Sequence, residues 1–214
     1  MVGPNRFANR TEAGEQLAEA LDERGIDPDI VLAIPRGGLP LGRAVADELD
    51  APLDIVVAKK VGAPGNPEYA IGAVAADGSA WRNLEAFQRH GVDEEYFERK
   101  SEEKAVEAQK KAERYRVGRA EPDVTAKTVV VADDGVATGS TARACLESLD
   151  KSGAGHIVLA VPVGPPESIS ELEAIADDVV CLSTPGVFRG VGQFYDDFSQ
   201  VSDEEAMTYL SDGA

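Results

Sequence analysis

Two adjacent carboxylates, Asp133 and Asp134, stand between a short apolar run and a loop of small residues. Thr128 to Thr141 reads Thr-Val-Val-Val-Ala-Asp-Asp-Gly-Val-Ala-Thr-Gly-Ser-Thr. Val129, Val130 and Val131 are β-branched and too few for a helix, so they predict a buried central strand. An unpaired buried carboxylate is very costly, so Asp133 and Asp134 belong where that strand emerges at its C-terminal edge. In open α/β sheets ligands bind along that edge. Gly135, Ala137, Thr138, Gly139, Ser140 and Thr141 follow, with only Val136 bulky among them, and lead into Ala142, Ala144, Cys145, Leu146 and Leu149 at helical spacing. A loop of small residues opening a helix offers free backbone N–H groups to a phosphate. Carboxylates accept hydrogen bonds from vicinal sugar hydroxyls. Together the two halves suit a ribose 5-phosphate. A Walker loop is excluded, because no Lys lies between Thr128 and Lys151, and a Gly-x-Gly-x-x-Gly dinucleotide fingerprint is absent from the stretch.

A second strand, turn and helix repeats this logic with a cation in place of the carboxylates. Ile30 to Ile34 is an apolar run that ends in Pro35-Arg36-Gly37-Gly38, after which Leu39, Pro40, Leu41, Ala44, Val45 and Leu49 give helical periodicity. Two glycines let the backbone approach a ligand closely, and Arg36 can fork onto phosphate oxygens.

The Asp-Asp stretch resembles the phosphoribosyl pyrophosphate (PRPP) motif of type I phosphoribosyltransferases: a hydrophobic strand, an acidic pair, then Thr-Gly-x-Thr. The resemblance implies that Asp133 and Asp134 bind the ribose hydroxyls, and that Ala137 to Thr141 hold the 5-phosphate. Pro35 to Gly38 is similar to the pyrophosphate loop of that family, whose members often carry a non-proline cis peptide there; its counterpart is the Pro35–Arg36 bond. Mg²⁺ is the implied cofactor, with Asp133 or Asp134 reaching it directly or through water. The implied partners are PRPP and a nucleobase-like acceptor, and the implied assembly is a homodimer. Family enzymes acting on 6-oxopurines carry an Asp near the middle of the phosphate loop, where this chain has Ala137, so a guanine or hypoxanthine acceptor is disfavoured. The Pro-Arg-Gly-Gly turn, the loop after Lys60 and the C-terminal aromatic segment extend the likeness to a group of such proteins without an assigned acceptor.

The remaining elements complete an α/β chain. Thr11, Glu12 and Glu15 predict a helix start, and Gly25 its stop. Leu53 to Ala58 predicts a strand with Lys59 and Lys60 at its end, and Lys60 is the candidate to face pyrophosphate. Gly62-Ala63-Pro64-Gly65-Asn66-Pro67-Glu68 is too rich in turn formers to continue a strand. It fits either a mobile loop closing over the site, within 59–80, or a hairpin connection. Asp93 to Val117 is dense in Glu, Lys, Arg and Ala and predicts one long exposed helix, an insertion packed on the sheet edge or on a partner. His156 to Val161 and Val179 to Leu182 are further strands, separated by a helix opening at Pro165 and Pro166. Strands alternating with helices imply a doubly wound, mostly parallel sheet in a single domain. Residues 184–199 gather Phe188, Phe194, Tyr195 and Phe198, either as a small hood where a planar base stacks or as core packing. Ser202 and Glu205 form a capping box for a terminal helix.

With 39 acidic residues against 21 Lys and Arg, the formal charge is −18. Such an excess repels nucleic acid and anionic membrane surfaces. It also costs self-repulsion, which concentrated salt relieves as the Debye length falls to about 3 Å at 1 M; a salt-rich cytoplasm is the expected setting. Met1 to Arg10 carries no apolar h-region, so neither secretion nor anchoring is expected. Cys145 and Cys181 fit no metal spacing and read as reduced core residues. The function expected is transfer of ribose 5-phosphate from PRPP to a nitrogenous base. A PRPP-binding regulator without turnover, or an enzyme of pyrophosphoryl transfer, would use the same loops.

Overall fold

A computed structural model describes residues 6–211. The elements in chain order are α1 (Arg10–Glu23), β1 (Ile30–Ala33), α2 (Gly38–Glu48), β2 (Leu53–Ile55), β3 (Ala58–Ala63), β4 (Asn66–Ala75), β5 (Ala80–Arg82), α3 (Leu84–His90), α4 (Glu94–Arg116), β6 (Thr128–Ala132), α5 (Ser140–Lys151), β7 (His156–Val163), α6 (Pro166–Glu173), β8 (Asp178–Ser183), a 3₁₀ turn (Val191–Phe194) and α7 (Asp203–Ser211). The first helix starts at Arg10 rather than Thr11, because Asn9 takes the extended cap conformation and accepts the Glu12 N–H at 3.0 Å.

Five strands form a parallel sheet in the order β2-β1-β6-β7-β8. The chain winds outward from β1 to β2 on one side and from β6 to β8 on the other. The strand order therefore reverses between β1 and β6, a place where a crevice opens at the strand C-termini. Register makes the crevice symmetric: Ala33 lies opposite Ala132, and the Ile34 N–H donates to the Ala132 carbonyl at 2.9 Å. Two residues further on, Pro35 and Asp134 begin the two candidate loops at the same height.

Both faces of the sheet are covered, which is why its central strands read as unbroken apolar runs. Val31, Ala33, Val130, Ala132, Val158 and Ala160 point into one core with α1, α2 and α7. Their neighbours Leu32, Val129, Val131, Ile157 and Leu159 point into the other with α5 and α6. Strand alternation alone assigns these sides.

β3, β4 and β5 form a separate antiparallel sheet. The segment expected to break after Lys60 instead continues as a strand to Ala63, and β4 begins at Asn66, leaving Pro64 and Gly65 as the turn. Register shifts at Gly62 absorb the irregularity. Pro67 is tolerated because β5 pairs only with Gly72 to Val74, so β4 has a single neighbour at that point. α4 is less exposed than its composition implies. Phe97 enters the small core of this sheet, whereas Ala108, Ala112 and Tyr115 enter the main core, so one helix ties the two sheets together. Asp93 caps its start, accepting from the Tyr96 N–H at 2.6 Å.

α1 and α2 cross closely at Gly14, where an added Cβ would lie 2.5 Å from the Leu41 carbonyl oxygen and 2.8 Å from the Ala44 Cβ. Helix propensity alone favours Ala over Gly by about 1 kcal/mol. The crossing predicts the opposite sign: Gly14→Ala should lower stability by about 1–3 kcal/mol in urea unfolding, as overpacked cores do.

Candidate active site

The Pro35–Gly38 turn and the acidic end of β6 meet at the switch point. The Pro35–Arg36 peptide is cis, as the resemblance implies. Gly37 leaves room for the carboxylate: a Cβ on it would sit 1.9 Å from Asp134 Oδ2 and force that side chain to move. Asp133 folds back and accepts the Asp134 N–H at 2.9 Å. Asp134 is held by Arg10, whose Nε donates to Oδ2 at 2.8 Å, and its carbonyl accepts the Tyr195 hydroxyl at 2.7 Å. Desolvation pushes both carboxyls above the usual range, Asp133 furthest because Asp134 adds a like charge; Arg10 pulls Asp134 partly back.

Beyond them the loop of small residues turns into α5. Gly139 is the left-handed residue at its N-cap. Thr138 and Ser140 place their hydroxyl oxygens 3.1 Å apart, and the Ala137 carbonyl is tied to α6 by the Ser168 hydroxyl at 2.7 Å. Ala137 and Thr138 are exposed, Gly135, Gly139 and Thr141 half-buried, and Ser140 buried. Among the described residues no acceptor takes the N–H groups of Ala137, Thr138 or Gly139. They are free for an anion, in the position where a helix N-terminus favours one.

A cavity of about 790 Å³ opens beside Asp134 and the Pro35–Gly37 turn. Arg10, Arg36, Lys59, Lys110, Lys111 and Arg114 line it against two carboxylates, Asp134 and Asp203. The predicted cation here was Lys60; the structure puts Lys59 at the cavity instead. Alternation explains the exchange. Lys59 shares the face of β3 that carries Val61 toward α4, so Lys60 points the other way. Three of the cations come from α4, which sequence reasoning left as packing. Lys111 Nζ donates to the Pro35 carbonyl at 3.0 Å. Desolvation first, then the charge of Lys59, lowers its pKa to about 8, with Arg36 adding to this and Asp203 and Asp133 opposing it.

The aromatic hood also needs correcting. Phe194 and Tyr195 are 1% and 2% exposed, built into the main core beside Phe7, and cannot offer a ring face to a base. Phe188 is half-buried and stacks on Phe194 at 5.6 Å. The ring that reaches the cavity is Phe198, 37% exposed, with the Arg10 guanidinium 3.9 Å from its centre. Arg10 carried no sequence signal, because the expected helix start at Thr11 left it outside the first turn. Nothing in the Glu- and Lys-rich run of α4 marks Lys111 or Arg114 over its neighbours.

Residues 7–199 match the family model described as a phosphoribosyl transferase domain. The chain belongs to the type I phosphoribosyltransferase family. Two Mycobacterium tuberculosis proteins provisionally named phosphoribosyl transferases, from strains CDC 1551 and H37Rv, are 40% identical over 204 residues, which is 95% of this chain and 46% of theirs. This phosphoribosyltransferase-family chain thus spans less than half the length of those curated relatives. The crystal structure of TT1426 from Thermus thermophilus is similar over 98% of this chain and 99% of its own, with a TM-score of 0.84 and 42% identity. A hypothetical protein from Neisseria gonorrhoeae, solved with bound ppGpp, shares the fold over the full length of both chains at a TM-score of 0.51 and 15% identity.

Two measurements check the electrostatics. Because the folded pKa of Asp133 is raised above the unfolded value of about 3.9, the protein loses stability as pH rises from there. Asp133→Asn keeps the acceptor for the Asp134 N–H and removes the charge. Its unfolding midpoint should exceed that of the wild type at pH 7, by about 2–4 °C for each kcal/mol relieved, with the gap closing toward pH 4. Lys111 should be about half deprotonated at pH 8, whereas an ordinary lysine is charged up to about pH 10. Competitive acetylation at pH 8 followed by peptide mass spectrometry should therefore label Lys111 ahead of the exposed Lys151, which lies away from the cavity.

Proposed function

We propose that this chain transfers ribose 5-phosphate from PRPP to a nitrogenous acceptor and releases pyrophosphate. The observation that carries this reading is the meeting, at one crevice, of a carboxylate pair, a phosphate-ready helix start and a glycine turn bearing Arg36. In this reading Asp133 and Asp134 accept hydrogen bonds from the 2- and 3-hydroxyls of the ribose. The free N–H groups of Ala137 to Gly139 and the hydroxyls of Thr138, Ser140 and Thr141 hold the 5-phosphate. Arg36, with the backbone of Gly37 and Gly38, binds the pyrophosphate.

Holding the sugar at three points aligns C1 between the arriving nitrogen and the departing oxygen, and alignment of this kind supplies a large part of the rate. As the C1–O bond lengthens, negative charge grows on the pyrophosphate while the ring turns cationic. Arg36 and the lysines facing it stabilise the first, and the carboxylates at the ribose edge stabilise the second. Asp134 must give up Arg10 or share it when the hydroxyls arrive, so Arg10 serves as its counter-ion in the free state.

The residues also fit a Mg²⁺ ion. Among the described residues no group of three or more His, Cys, Asp or Glu side chains converges. In this reading Asp133 and Asp134 are the carboxylates offered to a divalent ion, leaving most of its octahedron to phosphate oxygens and water, as is usual for Mg²⁺. When bound with PRPP, Mg²⁺ supplies positive charge to the leaving pyrophosphate.

Pyrophosphate release from Mg-PRPP, assayed in molar KCl with adenine, guanine, hypoxanthine, xanthine, uracil and orotate, tests the reading. Acceptor-dependent release is expected, with the Ala137 loop favouring an acceptor other than guanine or hypoxanthine. The double variant Asp133→Asn, Asp134→Asn should lose PRPP binding altogether; normal binding by that variant would overturn the site assignment. PRPP binding without release by any acceptor would identify a sensor instead.

A further inference from the structure

Positive charge is scarce in this chain and is concentrated at one cavity. Of its 21 Lys and Arg, six, Arg36 among them, line this one space, although 39 acidic residues are available to pair with them. Among the described residues the side chains of Lys59 and Lys110 make neither a hydrogen bond nor an ion pair, and Lys111 Nζ has the neutral Pro35 carbonyl at 3.0 Å and the Tyr115 ring centre at 5.5 Å. Lys111 is partly desolvated in this state, an arrangement that costs stability unless an anion completes it.

One carboxylate already stands inside the cluster. Asp203, the first residue of α7, accepts the Tyr115 hydroxyl at 2.6 Å and an Arg114 N–H at 2.8 Å, and lies 3.7 Å from Arg36. These three partners come from α4 and from the Pro35–Gly38 turn. α7 lies outside the stretch 7–199 that matches the family domain, and it brings the carboxylate to the edge of the crevice. Its pKa is held below the usual range, by the Tyr115 hydroxyl first and then by the charges of Arg114, Arg36 and Lys111. It is a charged anion at neutral pH, placed where a phosphate oxygen would find the same donors.

We propose that Asp203 is a resident anion of this cleft, holding Arg36 and Arg114 in place until a diphosphate displaces it, and that Lys111 and Arg114 of α4 are then ligands to that diphosphate. The inference rests on the reading of the Pro35–Gly38 turn as the pyrophosphate loop, and extends it to a helix and a terminal segment. A carboxylate bears one charge and two oxygens, whereas a diphosphate brings several charges and more acceptors. The larger anion can therefore take Arg36, Arg114, Lys111 and Lys59 together, which Asp203 does not. Exchange of one anion for another also lets the cations be ordered before the ligand arrives, without leaving Arg36 and Arg114 unneutralised. The diphosphate can be that of PRPP or free inorganic pyrophosphate.

Calorimetric titration of the whole chain with inorganic pyrophosphate, in parallel with PRPP and with inorganic phosphate as the single-phosphate control, tests this without reference to turnover. Asp203→Asn should tighten pyrophosphate by about tenfold, the scale of one charge-assisted competitor removed. Tyr115→Phe, which releases the carboxylate but keeps the ring whose centre lies 5.5 Å from Lys111 Nζ, should tighten it in the same direction by a smaller factor. Lys111→Met should weaken it by about tenfold or more, and Lys111→Arg should restore most of the loss. Inorganic phosphate should respond much less than pyrophosphate to all four changes. Should PRPP follow the same pattern, the displaced carboxylate gives way to the bound substrate; should only free pyrophosphate follow it, the exchange belongs to the product.

Unchanged pyrophosphate affinity in both Asp203→Asn and Tyr115→Phe, or wild-type affinity in Lys111→Met, overturns the proposal, as does a wild-type chain that binds no pyrophosphate. If Asp203→Asn loses cooperative unfolding, Tyr115→Phe and the Lys111 pair still decide. Failure of the transferase reading is read elsewhere, in acceptor-dependent release and in the Asp133, Asp134 double variant. A protein that only senses PRPP can show the full exchange pattern, and a working transferase can lack it.

Discussion

Parallel pairing of β1 with β6 is the constraint on which the rest of the molecule depends. The two strands are far apart in sequence and send their following helices to the same sheet from opposite sides. Only that arrangement leaves both post-strand turns beside one another with nothing packed between them. The register then matters to a single residue, since a slip of one would turn the apolar side chains of β6 to the wrong core and move Asp134 away from Gly37. The 1.9 Å that separates Asp134 from a hypothetical Gly37 Cβ shows how little freedom remains. Site and core are therefore fixed by the same hydrogen bonds.

Electrostatics supplies the second constraint. A chain with a formal charge of −18 repels anionic ligands at long range, so a site for phosphate groups has to overcome the field of its own protein. It does so by gathering cations from four places: the first turn of α1, the Pro35–Gly38 turn, β3 and the last third of α4. Two of its carboxylates, Asp133 and Asp134, are held away from water, and their pKa values, raised first by desolvation, mark the cost of placing them there. Free energy given up in this way in the unliganded state is recovered when a ligand supplies the missing partners, the usual relation between a preorganised site and a less stable fold.

α4 joins these two constraints. As an isolated segment it is a charged helix of 23 residues with few apolar positions. In the fold its first half buries Phe97 against the antiparallel sheet and its second half buries Ala112 and Tyr115 against the parallel one. Because the helix is rigid, this double anchorage sets the height of Lys111 and Arg114 over the cavity. The antiparallel sheet consequently bears on the site through the length of α4, although Lys59 is its sole member at the cavity among the described residues.

How much was legible from the chain follows the range of the interactions. Asp133, Asp134 and the loop to Thr141 announced themselves because strand, carboxylate pair and helix start are contiguous; local physics alone demands that edge position. The same holds for Pro35 to Gly38 and for the doubly wound core, whose alternation is written in short apolar runs. The expected cation was Lys60, and the residue at the cavity is Lys59, because the strand expected over Leu53 to Ala58 ends at Ile55, the lysines open β3 of the second sheet, and the side a strand presents depends on what packs against it. Phe194 and Tyr195 went into the core, and Phe198 to the cavity, through the bridge that joins Tyr195 to Phe7 across nearly the whole chain. Arg10, Lys111, Arg114 and Asp203 were invisible for the same reason. The sequence by itself determined the two loops and the sheet that carries them, since each is specified by neighbours along the chain. Only the tertiary structure decided which cations face those loops, because that choice is made by helices and termini whose contacts lie 76 to 189 residues away.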